Sequence, residues 1–334
     1  MRNNKKVAII TGGAGFIGSH MVDLLLKKKY IVNVFDNLSG GRLENLKHHF
    51  KNKYFNFEKK DICKVNYNHK FFFKCDYVFH FAGVGDIVPS IEDPIKYLNA
   101  NILGTAKMLY AAKKASVKKF IYAASSSCYG LAKTPTPEKH KINPLYPYAM
   151  SKYLGEKLCF HWQNLYGLPV NSIRIFNAYG PRVKTTGVYG AVFGVFFKQK
   201  LENKPFTIVG NGTQKRDFTY VTDVVEAFYK ASQTKISGQV FNLGTGKPNS
   251  INNLVKILGG NKVYIPSRPG EPNVTCANPK KIKKLLKWEP KVKFETGVKI
   301  MLKDIQKWKT APLWNPQSIK KATRLWFKHM KKVK

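Results

Sequence analysis

A chain of 334 residues with 43% apolar and 13% aromatic side chains is long enough to bury one large core or two modest ones, and its composition excludes a disordered protein. Fifty-eight Lys and Arg against nineteen Asp and Glu give a formal charge of +39, which brings nucleic acid and anionic membranes into view as partners. Lysine is spread through every helix-like segment, whereas arginine, on which base reading leans, is sparse; the excess therefore reads as surface composition, with no specific nucleic-acid partner expected.

The chain opens by running directly into VAIIT (7–11), a buried-strand run, followed by helical spacing from about Phe16 to Lys28. IVNVFD (31–36), KYFNFEKKDI (53–62) and YVFHFAG (77–83) predict further strands. Residues 93–115 have the length and periodicity of a helix, and KKFIYAA (118–124) is strand again. A helix is expected from Pro147 to about Tyr166, then a strand over 168–177. Continuous apolar strands alternating with helices predict a doubly wound parallel sheet of Rossmann type, covered on both faces. From Tyr179 the pattern loosens at Pro181, Gly187, Gly190, Pro205, Gly210 and Gly212, with helix again over 221–232 and strand over 239–246. The expected division is a cofactor-binding α/β domain over 1–178 with returning segments about 213–245, and a smaller α+β substrate-binding lobe over 179–212 and 246–334. The last stretch, Ser318 to Lys334, spaces Ile319, Ala322, Leu325, Trp326 and Met330 among basic residues. That spacing fits either a weak association with an anionic surface or a terminal helix packed on its own domain. No run approaches the length of a membrane span. Cys63, Cys75, Cys128, Cys159 and Cys276 are odd in number, scattered and without CxxC spacing. They point to a reducing, cytoplasmic setting and against a disulfide frame or a metal site.

Between the first strand and the first helix stands Gly12-Gly13-Ala14-Gly15-Phe16-Ile17-Gly18. Gly12 permits a tight turn, Gly15 lets backbone approach a pyrophosphate, and Gly18 lets helix and sheet pack closely, with the helix amino terminus facing the phosphates. A glycine pattern alone is weak. Here the second strand ends in Asp36, placed for a ribose 2′-hydroxyl, with no arginine directly after it, so NAD is expected rather than NADP. Asp61 and Ile62, after the third strand, are placed for the adenine.

Residues 122–130 read YAASSSCYG and residues 148–152 read YAMSK. Tyr148 and Lys152, four apart, share one face of a helix. A phenol is a poor base at neutral pH, but a neighbouring ammonium and a cationic nicotinamide ring favour its phenolate. Ser125, at the carboxyl end of its strand, lies where ligands bind in such sheets and is placed to relay a proton to Tyr148.

The motifs TGGAGFIGSH, FDNLSGG, HFAG, NANILGT, SSSCYG, YAMSK, FNAYGPR, GNGTQKRDFTYVTDVV and NLGTG, in that order over about residues 5–310, resemble an extended short-chain dehydrogenase/reductase. The similarity is to NAD-dependent sugar-nucleotide epimerases and dehydratases of the UDP-glucose 4-epimerase type. It implies Ser125, Tyr148 and Lys152 as catalytic residues. It also implies cofactor contacts from Phe16, Ile17, Asn37, Ser39, Gly40, Phe81, Ala82, Gly83, Asn101 and Phe176. Substrate contacts are implied for Ser126, for Asn177 and Arg216 at a diphosphate, and for Arg268 at the nucleotide end; for Arg216 a simple pairing with Asp217 stays open. The resemblance further implies a homodimer formed through the helices around 93–115 and 147–166.

Relatives of this kind first oxidise the sugar at C4 and diverge after that step. A 4,6-dehydratase would carry an acidic pair just after the catalytic hydroxyl residue, and a glucuronate decarboxylase a glutamate. Ser126 and Ser127 cannot act as carboxylate bases. The expectation is a UDP-sugar 4-epimerase, with a 4,6- or 5,6-dehydratase or a UDP-glucuronate decarboxylase as the alternative. Thr275, seven residues after Arg268, is small enough to leave room for an N-acetyl group. It favours UDP-GlcNAc/UDP-GalNAc over UDP-Glc/UDP-Gal.

Overall fold

The apolar runs Val7–Thr11, Ile31–Asp36, Tyr77–His80 and Lys119–Ser125 form central strands covered on both faces. The computed structural model describes residues 5–183 and 192–331. In chain order it contains β1 (Val7–Thr11), α1 (Phe16–Lys27), β2 (Ile31–Asp36), β3 (Phe55–Lys59) and β4 (Tyr77–His80). Next come α2 (Pro89–Glu92), α3 (Pro94–Leu98), α4 (Gly104–Lys114), β5 (Lys119–Ser125), α5 (Pro147–Tyr166) and β6 (Val170–Ile175). Then come β7 (Asn177–Tyr179), α6 (Val192–Leu201), β8 (Phe206–Val209), β9 (Lys215–Arg216), β10 (Phe218–Tyr220), α7 (Val221–Gln233) and β11 (Gln239–Leu243). The remainder is β12 (Asn249–Ser250), α8 (Ile251–Leu258), β13 (Lys262–Ile265), α9 (Lys280–Leu286), α10 (Phe294–Lys303), α11 (Pro316–Ala322) and α12 (Arg324–Met330).

Seven strands form one parallel sheet in the order β3-β2-β1-β4-β5-β6-β11. Alternation along β1 shows why the run is apolar throughout. Ile10 packs with Val22, Val224 and Phe228 on one face, while Ile9 packs with Val78 and Met108 on the other. Strand order reverses between β1 and β4, so the chain leaves their carboxyl ends in opposite directions and opens a crevice there.

The single helix expected over 93–115 is instead α3, a π turn over Asn99–Leu103, and α4. The widened turn carries Asn101 inward, where its amide accepts from Val84 N (2.9 Å) and donates to Val84 O (3.1 Å) and Ser151 Oγ (2.8 Å).

Beyond β6 lies a second apolar cluster of Tyr179, Phe193, Phe197, Phe206, Phe218, Phe294 and Trp308. Regular helices α6, α8, α9 and α10 stand where irregular segments were expected. In α8, for example, the Ser250 hydroxyl caps the first turn by accepting from Asn253 N at 3.0 Å. Gly187 and Gly190, expected as breakers, lie outside the described residues. Two segments expected in the smaller lobe pack on elements expected in the cofactor-binding domain. Ile282, Leu286 and Trp288 join the core of the large sheet, with Trp288 Nε1 donating to Asp223 O at 2.9 Å. Trp326 and Met330 pack on Val88 and Tyr146 of the first half. The apolar face of the tail is thus buried against its own domain. Among the described residues no helix is long and apolar enough to cross a membrane, and all five cysteines are free.

Candidate active site

The crevice between β1 and β4 opens into a cavity of about 1100 Å³. Gly12 adopts φ +70, and a Cβ there would meet Ala82 N at 2.7 Å. A Cβ on Gly18 would stand 2.1 Å from Gly12 O, so the start of α1 can lie against the turn only as glycine. Asp36, 6% exposed, fixes this loop from below. Its Oδ2 accepts from Ala14 N at 2.9 Å and its Oδ1 from Leu38 N at 2.8 Å. Burial raises its carboxyl pKa, while the two amides partly offset that rise. At Asp61 the balance is reversed. Burial works upward, but the Cys63 amide (2.9 Å) and the Asn37 side chain (3.1 Å) hold the carboxyl below its ordinary range.

Gly12, Gly15, Phe16, Ile17, Gly18, Asp36, Asn37, Ser39, Gly40, Asp61, Ile62, Phe81, Ala82, Gly83 and Phe176 line the cavity, together with Ser125, Tyr148 and Lys152. Asn101 does not. It is 1% exposed and acts from behind through its clamp on Val84, so the expected direct contact becomes a support for the loop after β4. A glycine turn that admits no Cβ, a helix amino terminus beside it and a buried carboxylate at the end of β2 together fit a dinucleotide such as NAD.

On α5, Tyr148 and Lys152 face the cavity one turn apart. Lys152 Nζ stands 4.5 Å above the Tyr122 ring, and burial draws its pKa down to about 8. Burial raises the Tyr148 phenol; a hydrogen bond with Ser125 lowers it, and the Asp86 carboxylate raises it again. The Ser125 hydroxyl also donates to Ser127 Oγ at 3.0 Å. Ser126 is half-buried and outside the cavity lining. Asp86 and Glu271 are the site residues that sequence spacing does not single out. Asp86 sits in a loop whose direction only the sheet fixes.

Of the expected substrate residues, Asn177, Arg216, Arg268 and Thr275 lie together outside the lining of the dinucleotide cavity. Thr275 Oγ1 donates to Asn177 Oδ1 at 2.9 Å. Arg216 Nη2 donates to Glu271 Oε1 at 2.6 Å, and Arg268 Nη1 lies 3.7 Å from Glu271 Oε2. Arg216 therefore pairs with Glu271 and not with its neighbour Asp217. Asp217 is fully buried and accepts from Thr245 N (2.7 Å), Thr245 Oγ1 (2.6 Å), Gly246 N (3.0 Å) and Ala277 N (2.9 Å).

A separate group, Asp23 with His48 and His49, brings three ligand-type atoms within 4.8 Å of one another on the far side of α1. The Arg182 guanidinium, 2.8 Å from Asp23 Oδ2, already supplies positive charge to that carboxylate.

The fold and the cavity define a dinucleotide-binding enzyme of the short-chain dehydrogenase/reductase class, with Ser, Tyr and Lys side chains meeting at the carboxyl end of the sheet. Residues 9–301 match the family model described as GDP-mannose 4,6 dehydratase. A UDP-glucose 4-epimerase of Mycolicibacterium smegmatis is 34% identical over 299 residues, 87% of this chain and 95% of its own. A UDP-glucuronic acid 4-epimerase of Bacillus cereus, solved with UDP-glucuronic acid and NAD, superposes with a TM-score of 0.84 at 33% identity, covering 90% of this chain and 99% of its own. A UDP-N-acetylglucosamine 4-epimerase of Methanobrevibacter ruminantium M1, solved with UDP-N-acetylmuramic acid, gives 0.84 at 31% identity, again over 90% and 99%. The chain belongs to the sugar-nucleotide epimerase/dehydratase family of extended short-chain dehydrogenases/reductases.

Proposed function

We propose that the protein is an NAD-dependent isomerase, a 4-epimerase of a UDP-sugar, with UDP-GlcNAc/UDP-GalNAc favoured and UDP-Glc/UDP-Gal next. The observation that carries this reading is the meeting of Ser125, Tyr148 and Lys152 at the dinucleotide cavity, with neutral serines at 126 and 127 where a lyase would need a carboxylate.

Tyr148 as phenolate takes the proton of the sugar O4 hydroxyl, relayed to it through Ser125, which is hydrogen-bonded to it. Bound NAD would supply the hydride acceptor and donor at C4. Lys152, one turn along the same face of α5, is the cation assigned to favour the phenolate, and burial draws its own pKa down to about 8. Uncharged Ser126 and Ser127 spare the 4-keto sugar from proton abstraction at C5, so it survives long enough to turn over and be reduced on its other face. Asn177, Arg216 and Arg268 hold the diphosphate and nucleotide end, as charge-assisted hydrogen bonds to a dianion require. Thr275 leaves space for a C2 N-acetyl group.

The protein acts as a homodimer. Leu103, Tyr110, Met150, Leu154 and Leu165 are 38–60% exposed, on or beside α4 and along α5, at spacings that align them on helix faces. A monomeric mass in solution would contradict this.

The test is to incubate the purified protein with UDP-GlcNAc and monitor the nucleotide sugar by mass spectrometry and NMR, with Tyr148→Phe as control. An epimer of equal mass, absent with the variant, supports the isomerase and the role of Thr275. Loss of water or of carbon dioxide (with a uronic acid substrate) makes it a lyase, and turnover of UDP-glucose alone removes the argument from Thr275.

A further inference from the structure

Helix α12, beyond the residues matched by the family model, meets the surroundings of the site at three places. Trp326 and Met330 are 3% and 2% exposed and form a small apolar cluster of their own with Val88, Ile87, Ile91 and Tyr146. The same α2 region lines the dinucleotide cavity with Asp86, Pro89 and Glu92. Trp326 Nε1 donates to Pro269 O at 2.9 Å, one residue from Arg268 and two from Glu271. Met330 presses on Gly270, where a Cβ would stand 2.5 Å from its Cε and where φ is +71. The Trp326 ring lies 5.4 Å from Tyr146, which stacks on Tyr148 at 6.4 Å and 10°.

We infer that α12 is a strap and Trp326 a positioning residue, which holds the 266–273 loop, and with it Arg268 and Glu271, against the Tyr146–Tyr148 stack so that the nucleotide end of the substrate meets a preset arginine pair. The cluster gives the reason. The 266–273 segment carries Pro266, Pro269, Gly270 and Pro272 and forms no strand or helix, so its shape is set from outside. The hydrogen bond that fixes its Pro269 carbonyl comes from an indole outside the stretch shared with the family. The basic residues of the strap, Arg324 and Lys328, stay exposed while its apolar face is enclosed.

The consequence for substrate binding rests on the UDP-sugar reading, and the experiment separates the two. Full-length, NAD-loaded Trp326→Ala and Trp326→Phe are compared with the unchanged chain by amide exchange mass spectrometry and by calorimetric titration with UDP. Trp326→Ala is expected to speed exchange over 266–273 and to weaken UDP about tenfold, leaving exchange of β1, β4 and β5 unchanged. Trp326→Phe keeps a ring but loses the N–H, and should fall between. Equal exchange over 266–273 in the variants overturns the strap, as does a uniform acceleration through the sheet, which would mean lost global stability only. If the unchanged chain fails to bind UDP, the proposed function falls, while the exchange comparison still decides the strap.

Discussion

The dinucleotide side and the substrate side of this molecule are built differently. Around the glycine turn the buried polar groups are already paired: Asp36 takes two backbone amides, Asn101 clamps Val84, and His80 lies between Thr11 Oγ1 (2.8 Å) and Thr105 Oγ1 (3.0 Å). Around Glu271 two arginines converge on a carboxylate that itself stays 30% exposed. The first arrangement is set by backbone and burial and does not depend on a guest. The second is a set of charges compensating one another, so that on the proposed reading a diphosphate would exchange one anionic partner for another. Around the glycine turn rigidity thus comes from buried groups with every partner in place, whereas the Glu271 cluster is held by partly exposed charges.

Four measurements bear on that difference. Tyr148→Phe should lower turnover by about a thousandfold, since it removes the group exchanging the O4 proton, with NAD content unchanged; stopped-time NMR of the sugar reads it. Gly18→Ala should cost about a hundredfold in NAD affinity, because its Cβ would overlap Gly12 O. Fluorescence titration of NAD would measure this, and an unaffected affinity would show that the turn yields where its contacts make it rigid. His80 supplies a pH test of the same side. Burial lowers its pKa from 6.5 to about 3, so the folded state binds fewer protons than the unfolded one between those values. Stability present at neutral pH is therefore lost as pH falls through that window. Urea unfolding at several pH values should show that loss reduced in His80→Gln. The smallest effect belongs to the substrate side. Glu271→Gln should tighten inorganic pyrophosphate by about two- to fivefold by releasing a partly exposed ion pair, and binding no tighter than the unchanged chain would mean that Glu271 does not compete.

The same division separates the features legible in the sequence from those that were not. The glycine turn, Asp36 and the Tyr148–Lys152 pair are set by spacings of a few residues on one strand or helix, and the alternating apolar runs fix the sheet that carries them. Ser125 needed one inference more, that its strand ends at the crevice. Glu271 could not be found that way. Its partner Arg216 is 55 positions away, and the adjacent Asp217 was the nearer candidate by sequence distance. The π turn also escaped, because periodicity over 93–115 is blind to one extra residue whose reason is a contact with Val84. Helices α6, α8, α9 and α10 are short and flanked by proline and glycine, so their apolar faces become evident only when Phe193, Leu254, Ile282 and Val298 are seen in their clusters.

Asp217 carries one more consequence. Its carboxylate gathers the amides of Thr245, Gly246 and Ala277 in a place water does not reach, while the Arg216 side chain just before it turns to a half-buried ion pair with Glu271. The Lys-Arg-Asp run thus sets a pin and a latch side by side: Asp217 joins three distant stretches of chain, and Arg216 beside it holds a partly exposed partner that it can exchange without disturbing the wall behind it.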